Sequence, residues 1–209
     1  MQYYKYKIKA LYKDITNFLV YPLWLLKRDK GNIPDNHIYK LKRIKNLKTK
    51  YDIENLIETG TYIGQTTKFA SKIFTKVVSI EIYEPLFKFN KKLFNKSKNV
   101  DILFGDSMDL LSKAIKMLDG SILFWLDGHY SGSGTGLGDK ICPINEEILN
   151  IKENINFNKN SIIVIDDRRL FNGTDDYPLI DEFKSFVDEH LPGSEIHYDY
   201  DGIIIKLNS

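Results

Sequence analysis

The chain has 209 residues, 43% of them hydrophobic and 28% charged, which is enough for one good core with some chain left over for an extension. Its single cysteine, Cys142, excludes an intramolecular disulfide, and without a C-x-x-C or Cys/His cluster it gives no sign of a zinc module; a reducing compartment, the cytoplasm, is the expected setting. The formal charge of +2 excludes little, but residues 1–50 hold 13 Lys/Arg against 3 Asp/Glu (net +10) and residues 51–209 hold 17 against 25 (net −8), so a basic extension precedes an acidic domain.

The extension, 1–50, mixes its cations with aromatics: Tyr3, Tyr4, Tyr6 and Tyr12, then the apolar run Phe18–Leu26, then Lys27, Arg28 and Lys30. That run is less than half of the roughly 20 residues that span a bilayer, and Pro22 interrupts it, so no span is expected. Positive charge ahead of an apolar core also suits a secretory signal, yet Lys-Arg-Asp-Lys follows in place of a small-x-small cleavage site. Two readings remain for residues 1–30. Lysines around Trp24 and the tyrosines suit the headgroup layer of an anionic membrane, which would place the protein peripherally on the inner face of the cytoplasmic membrane. Alternatively, Phe18–Leu26 packs on the domain or on a second subunit of a homo-oligomer. The charge would also suit nucleic acid, but no RNA- or DNA-binding motif accompanies it, so no specific nucleic-acid partner is expected.

From residue 51 the chain alternates strands and helices without long linkers, repeats or low-complexity tracts. Ile53–Ile57 reads as a first strand. It runs into ETGTYIGQTT, Glu58 to Thr67, and then into a segment where Phe69, Ala70, Ile73 and Phe74 recur at helical spacing. Gly60 and Gly64 thus lie on a strand-to-helix turn at the carboxyl edge of an open sheet, where ligands bind. They let the backbone turn tightly and approach a ligand, and the following helix N-terminus offers N–H groups to a carboxylate or phosphate; a purely structural turn has the same spacing. Lys76–Ile80 is the second strand and ends on Glu81, 23 residues after Glu58. An acid at this place binds ribose hydroxyls in α/β nucleotide folds, and otherwise is a solvated strand-end carboxylate.

A helix with Leu86, Phe89 and Leu93 precedes a third strand, Val100–Phe104. Gly105-Asp106-Ser107 then opens a helix lined by Leu111, Ala114, Ile115 and Leu118. Ser107 is expected to cap it; Asp106, at the same edge as Glu81, either caps or reaches the base of a nucleoside. A fourth strand, Ile122–Leu126, runs into Asp127-Gly128-His129-Tyr130. A fifth, Ile162–Ile165, runs into Asp166-Asp167, and continuous apolar strands of this kind suit a parallel sheet covered on both faces. Three converging acids repel one another unless neutralised. Oxygen ligands select a hard ion such as Mg²⁺, while Arg168 or Arg169 offers a metal-free alternative. Between these strands, Ser131–Asp139 carries four glycines in seven residues and is expected to form a mobile substrate lid. A phosphate cradle is the rival idea, without the Gly-Lys-Ser/Thr ending of a P-loop. Pro143 and a helix with Ile144, Ile148, Ile151 and Ile155 follow. After a last helix with Leu179, Phe183, Phe186 and Val187, Glu195–Leu207 reads as a hairpin turning at Asp201-Gly202.

From about Asp52 to Leu207 the chain resembles class I S-adenosylmethionine-dependent methyltransferases, and within them the small metal-dependent O-methyltransferases of the catechol and caffeoyl-CoA type. ETGTYIGQT follows their E-x-G-x-[YF]-x-G-x-[ST] pattern. FWLDGHYSGSGT and IVIDDRRLFNGTDDYP are also similar to an uncharacterised bacterial methyltransferase-like group associated with surface-glycan synthesis. The resemblance implies an α/β, Rossmann-like class I methyltransferase fold over 51–209: a mostly parallel seven-stranded sheet with a C-terminal antiparallel hairpin, plus an N-terminal helical extension. It implies that Glu58, Gly60 and Gly64 line the methionine end of S-adenosylmethionine, with Thr61, Tyr62, Thr66 and Asp127 also at the cofactor, that Glu81 holds the ribose hydroxyls, and that Asp106 and Ser107 lie by the adenine. It further implies Mg²⁺ at Asp127, Asp166 and Asp167. Two features depart from the catechol type: the 39-residue gap from Asp127 to Asp166 is long, and no lysine stands at the usual base position.

The reaction expected is in-line transfer of the sulfonium methyl to a hydroxyl of a small molecule, sugar or surface-glycan precursor. Asp127 and the metal would place the acceptor, and His129 would be the general base or a structural histidine. A non-catalytic nucleoside- or substrate-binding member of the same fold, anchored by its basic arm, is the competing class; acids at every expected strand tip argue for the enzyme.

Overall fold

The apolar runs become the interior of one sheet. A computed structural model describes residues 2–30, 33–130, 132, 134–156 and 160–207. Strands β1 (Asn55–Thr59), β2 (Lys76–Glu81), β3 (Val100–Phe104), β4 (Ile122–Leu126) and β5 (Ile162–Ile165) are parallel, while β7 (Gly202–Lys206) runs antiparallel to β5 and pairs with β6 (Glu195–Asp199). The order is β3-β2-β1-β4-β5-β7-β6, with β1 and β4 at the centre. The expected hairpin and parallel core are both present; β1 begins two residues later than the sequence suggested.

Alternation along each strand serves two cores, one on each face. Ile57, Val78, Phe124, Leu126, Ile163 and Ile165 point to the side covered by α5 (Ser107–Lys116), α6 (Ile144–Asn154) and α7 (Ile180–His190). Leu56, Val77, Leu123, Trp125, Ile162 and Val164 point to the side covered by α2 (His37–Tyr51) and α3 (Gln65–Ala70). A strand buried on both sides has no polar face to display, which is why these runs look uniformly apolar. Helix α4 (Glu84–Leu93) lies outside β2 and β3, with Leu86 and Phe89 joined to Ile63 in a third cluster.

Helix α2 is part of this framework. Asn36 caps its start by accepting from the Ile38 N–H at 2.9 Å, and Ile44 and Leu47 enter the core. The boundary expected at residue 50 therefore falls inside the last turn of a core helix. Arg43 ties α2 to the C-terminal hairpin: it donates to the half-buried Asp199 Oδ2 at 2.7 Å and to the buried Asp35 Oδ2 at 2.5 Å. Gly202 makes room for it, because a Cβ there would lie 2.7 Å from the guanidinium carbon. The glycine of the Asp201-Gly202 signal thus serves the guanidinium, and the left-handed residue of the turn is Tyr200 (φ 51°).

Helix α1 (Gln2–Lys27) packs by one face only. Tyr3 and Tyr6 rest on Phe89, and Trp24 is buried against Tyr39, donating its indole N–H to the Pro34 carbonyl at 3.0 Å. The rest of the Phe18–Leu26 run is not core. Among the described residues no helix is long and apolar enough to cross a membrane.

Candidate active site

Three cavities meet at Gly60, where the carboxyl ends of β1 and β4 come together. Its φ is +83°, and a Cβ would collide with the carbonyl oxygen of Asp127, so only glycine lets these two strand ends approach so closely. Gly64 (φ +73°) serves the packing of a helix instead. A Cβ there would lie 2.5 Å from Asn90 Oδ1, so this glycine seats the turn on α4, outside these three cavities.

The first cavity lies over β2 and β3, walled by Ile82, Asp106, Ser107, Tyr130 and Pro143. Asp106 caps α5 by accepting from the Met108 N–H at 2.9 Å; Ser107, expected to be the cap, is the first helical residue. The glycine-rich loop closes over this rim. At Gly136 a Cβ would collide with Ile82 and at Gly138 with Asp106, so these two glycines let the loop pack closely on the rim; Ser131 and Ser133 lie outside the described residues.

The central cavity, about 360 Å³, is lined by Tyr62, Glu81, Asp127, His129, Asp167 and Lys40. Glu81 accepts from the backbone N–H of Tyr62 at 2.7 Å and of Tyr83 at 2.8 Å. Burial nevertheless pushes its carboxyl up to about 7, against those two bonds. Lys9 and Lys13 reach in from α1, their ammonium groups 4.9 and 4.6 Å from the centre of the Tyr62 ring. The third cavity, about 300 Å³, lies between α1, α2 and β1, and its wall includes Glu58, Thr61, Thr66 and His37. Glu58 accepts from the hydroxyls of Thr67 and Ser79, the latter at 2.6 Å, and burial pushes its carboxyl up to about 8.

The acids at the tips of β4 and β5 do converge, but cations are already among them. Lys40, from α2, ion-pairs with Asp166 and stands 3.8 Å from Asp167; Arg169 donates to Asp167 at 2.7 Å and also pairs with Asp201. His129 Nε2 lies 3.1 Å from Asp167 Oδ2, and its Nδ1 lies 3.6 Å from Asp127 Oδ1. Burial would lower the imidazole pKa, but the bond to Asp167 and the charge of Asp127 leave it raised. Burial raises Asp167 as well, yet His129, Lys40 and Arg169 together hold it well below the usual carboxylate range. Burial, then the charges of Asp166 and Asp167, push Asp127 up to about 7 against the opposing charges of Lys40 and His129.

The expected metal trio of Asp127, Asp166 and Asp167 is therefore corrected. Asp166 is committed to Lys40, and the groups that could share an ion are Asp127, His129 and Asp167, whose ligand atoms lie within 4.8 Å of one another. A nitrogen donor and two neighbouring cations suit Mg²⁺ poorly, because Mg²⁺ prefers oxygen ligands and needs the negative charge that Lys40 and Arg169 already neutralise. The other oxygen of Asp166, Oδ1, has no partner among the described residues; Asp166 lines a void of about 20 Å³ with Glu147 and Tyr177, room for one water.

No family model matches this sequence, and no curated protein matches it either. Solved structures do. A methyltransferase of Podospora anserina, PaMTH1, solved with S-adenosylhomocysteine, is 16% identical with a TM-score of 0.59, over 89% of this chain and 86% of its own. The O-methyltransferase TomG of Streptomyces achromogenes, in complex with S-adenosylmethionine, is 15% identical with a TM-score of 0.58, over 86% and 83%. A Staphylococcus aureus protein assigned as a caffeoyl-CoA O-methyltransferase is 12% identical with a TM-score of 0.58, over 98% and 99%. The fold is that of the class I S-adenosylmethionine-dependent methyltransferases.

In a class I methyltransferase fold the sheet order puts Glu58, Glu81, Asp106 and Asp127 at the tips of four adjacent strands, and all four line the cavities around Gly60. The donor set suits S-adenosylmethionine. Glu58, Glu81 and Asp127 form an acidic wall for a ligand that carries a sulfonium, an ammonium and a ribose diol. Sequence reasoning missed Lys40, Lys9 and Lys13, which belong to the extension and enter the cavities from outside the sheet. The absence of a lysine at the usual base position held only along the domain; in space a lysine stands among the acids. Its one signal was the +10 charge of residues 1–50, which did not say which lysine turns inward.

Proposed function

We propose that this protein is an S-adenosylmethionine-dependent O-methyltransferase acting on a hydroxyl of a small anionic acceptor, such as a sugar or surface-glycan precursor. The observation that carries the reading is the junction at Gly60 of an acidic cofactor cleft with a cavity holding both an acid and a histidine. When bound, S-adenosylmethionine supplies an electrophilic methyl group. In this reading Glu81 would hold the ribose hydroxyls, Asp106 and Ile82 would face the base, and Glu58 would face the methionine end. Asp127, raised by burial, hydrogen-bonds the acceptor hydroxyl. Asp167 takes the Nε2–H of His129 and leaves Nδ1 free to receive the proton. With S-adenosylmethionine held there, its methyl group would pass to the acceptor oxygen, and His129 would take the hydroxyl proton. Lys9 and Lys13 favour an acceptor with a carboxylate or phosphate; the sugar assignment rests on the sequence resemblance.

A second reading has the Asp127, His129 and Asp167 group holding a divalent ion that orients the acceptor. The poor fit to Mg²⁺ makes it the weaker of the two. Calorimetry with S-adenosylmethionine, then transfer of labelled methyl to a panel of acidic sugars and hydroxylated carboxylates, tests the main reading. Glu81→Ala is expected to weaken cofactor binding by about 1.5–3 kcal/mol, and activity is expected to survive EDTA. Loss of turnover on chelation would restore the metal reading. A chain that binds the cofactor but methylates no acceptor would favour the non-catalytic class, and one that binds no cofactor would end the assignment.

A further inference from the structure

Helix α1 is 26 residues long and is packed by one side alone. Among the described residues, eleven of the sixteen exposed large hydrophobic side chains belong to it. Ile8, Leu11, Ile15, Leu19, Leu23 and Leu26, spaced three or four apart, form one stripe along the helix, opposite the side through which Tyr3, Tyr6 and Trp24 pack. Such a stripe is too large to be scattered surface hydrophobicity, and on a water-facing helix it calls for a cover.

The charges beside the stripe decide the cover. Lys5, Lys7 and Lys27 are exposed along its flanks, while the one acid within α1, Asp14, is engaged by Gln65. A second copy docking stripe to stripe would bring the same lysines together. An anionic surface meets them with opposite charge and takes the apolar side chains into its acyl boundary. We infer that the outward face of α1 docks on an anionic lipid bilayer, the helix lying in the plane of the interface.

The test is flotation of the full chain with vesicles of phosphatidylcholine and phosphatidylglycerol, against vesicles of phosphatidylcholine alone. Binding is expected to the mixed vesicles only, and to weaken as salt rises, since the flanking charges are screened. Ile15→Glu combined with Leu19→Glu, at two exposed positions outside the cavities, is expected to lower the partition constant about tenfold or more. The variant should keep the circular dichroism spectrum and cofactor affinity of the parent. No flotation with mixed vesicles, or flotation unchanged in the double variant, overturns the inference. So does concentration-dependent self-association in the ultracentrifuge that the same double variant abolishes, an outcome that assigns the stripe to a second copy.

Discussion

Lys40 holds the site together electrostatically. Its ammonium is raised well above the usual lysine range: burial works against the charge, but Asp166, Asp127 and Asp167 outweigh it. Replacing it leaves a buried carboxylate at Asp166 without its counter-ion, so Lys40→Ala is expected to cost about 3–5 kcal/mol in urea unfolding. The double variant Lys40→Ala with Asp166→Asn should recover much of that loss; equal melting of wild type and Lys40→Ala would show that the pair carries no net stability. Glu58 gives the site a pH dependence of known sign. Its folded pKa, about 8, lies above its unfolded value, so the stability it contributes is fully present below about pH 4.3 and is lost as pH rises through the folded value. Glu58→Gln is therefore expected to flatten the decline in stability between pH 5 and 8, read as the urea midpoint at each pH, and to exceed the wild type in stability above about pH 8.

At the scale of elements, α2 and the C-terminal hairpin are clamped to each other through Arg43. Arg43→Met leaves Asp35 buried and unpaired, and a loss of about 3–5 kcal/mol is expected, partly relieved by adding Asp35→Asn; thermal melts of the single and double variants read it directly. The five parallel strands were legible because a strand covered on both faces needs apolar side chains at every position, and β4 and β5 have them. Helix α2 was not legible as core. Its cations and polar residues set the average, while the two side chains that enter the core, Ile44 and Leu47, are too few to dominate the pattern. The cap of α5 was misplaced by one residue because Asp106 and Ser107 are equally good capping residues, and only the backbone path chooses between them. The acids of the candidate site and His129 were read from their places at strand tips, whereas Lys40 and the bond of His129 to Asp167 depended on tertiary contacts that no local spacing records.

For the whole molecule, the +10 and −8 halves complement each other across one boundary. Lys40 meets Asp166 and Asp167, and Arg43 meets Asp199. Removal of residues 1–30 spares α2 and is expected to leave a folded chain that binds the cofactor but has lost Lys9 and Lys13 from the cavity; removal of residues 1–50 takes Arg43, Ile44 and Leu47 with it and should abolish the cooperative melt. Circular dichroism melts and cofactor calorimetry on the two truncations separate these outcomes.

The clamp also has an order in time. The ribosome releases Lys40 and Arg43 among the first quarter of the chain, yet their partners Asp166 and Asp199 lie 126 and 156 residues further on. Until β5 has been made Lys40 lacks Asp166, and until β6 has been made Arg43 has Asp35 alone and α2 has no hairpin to rest on. Such distant pairings close slowly and reward the chain only at the end. A nascent chain thus carries α2 with its long-range ion pairs unmade until β5 and then β6 follow, and the hairpin completes the clamp on a helix whose Ile44 and Leu47 pack against β1, β4 and β5.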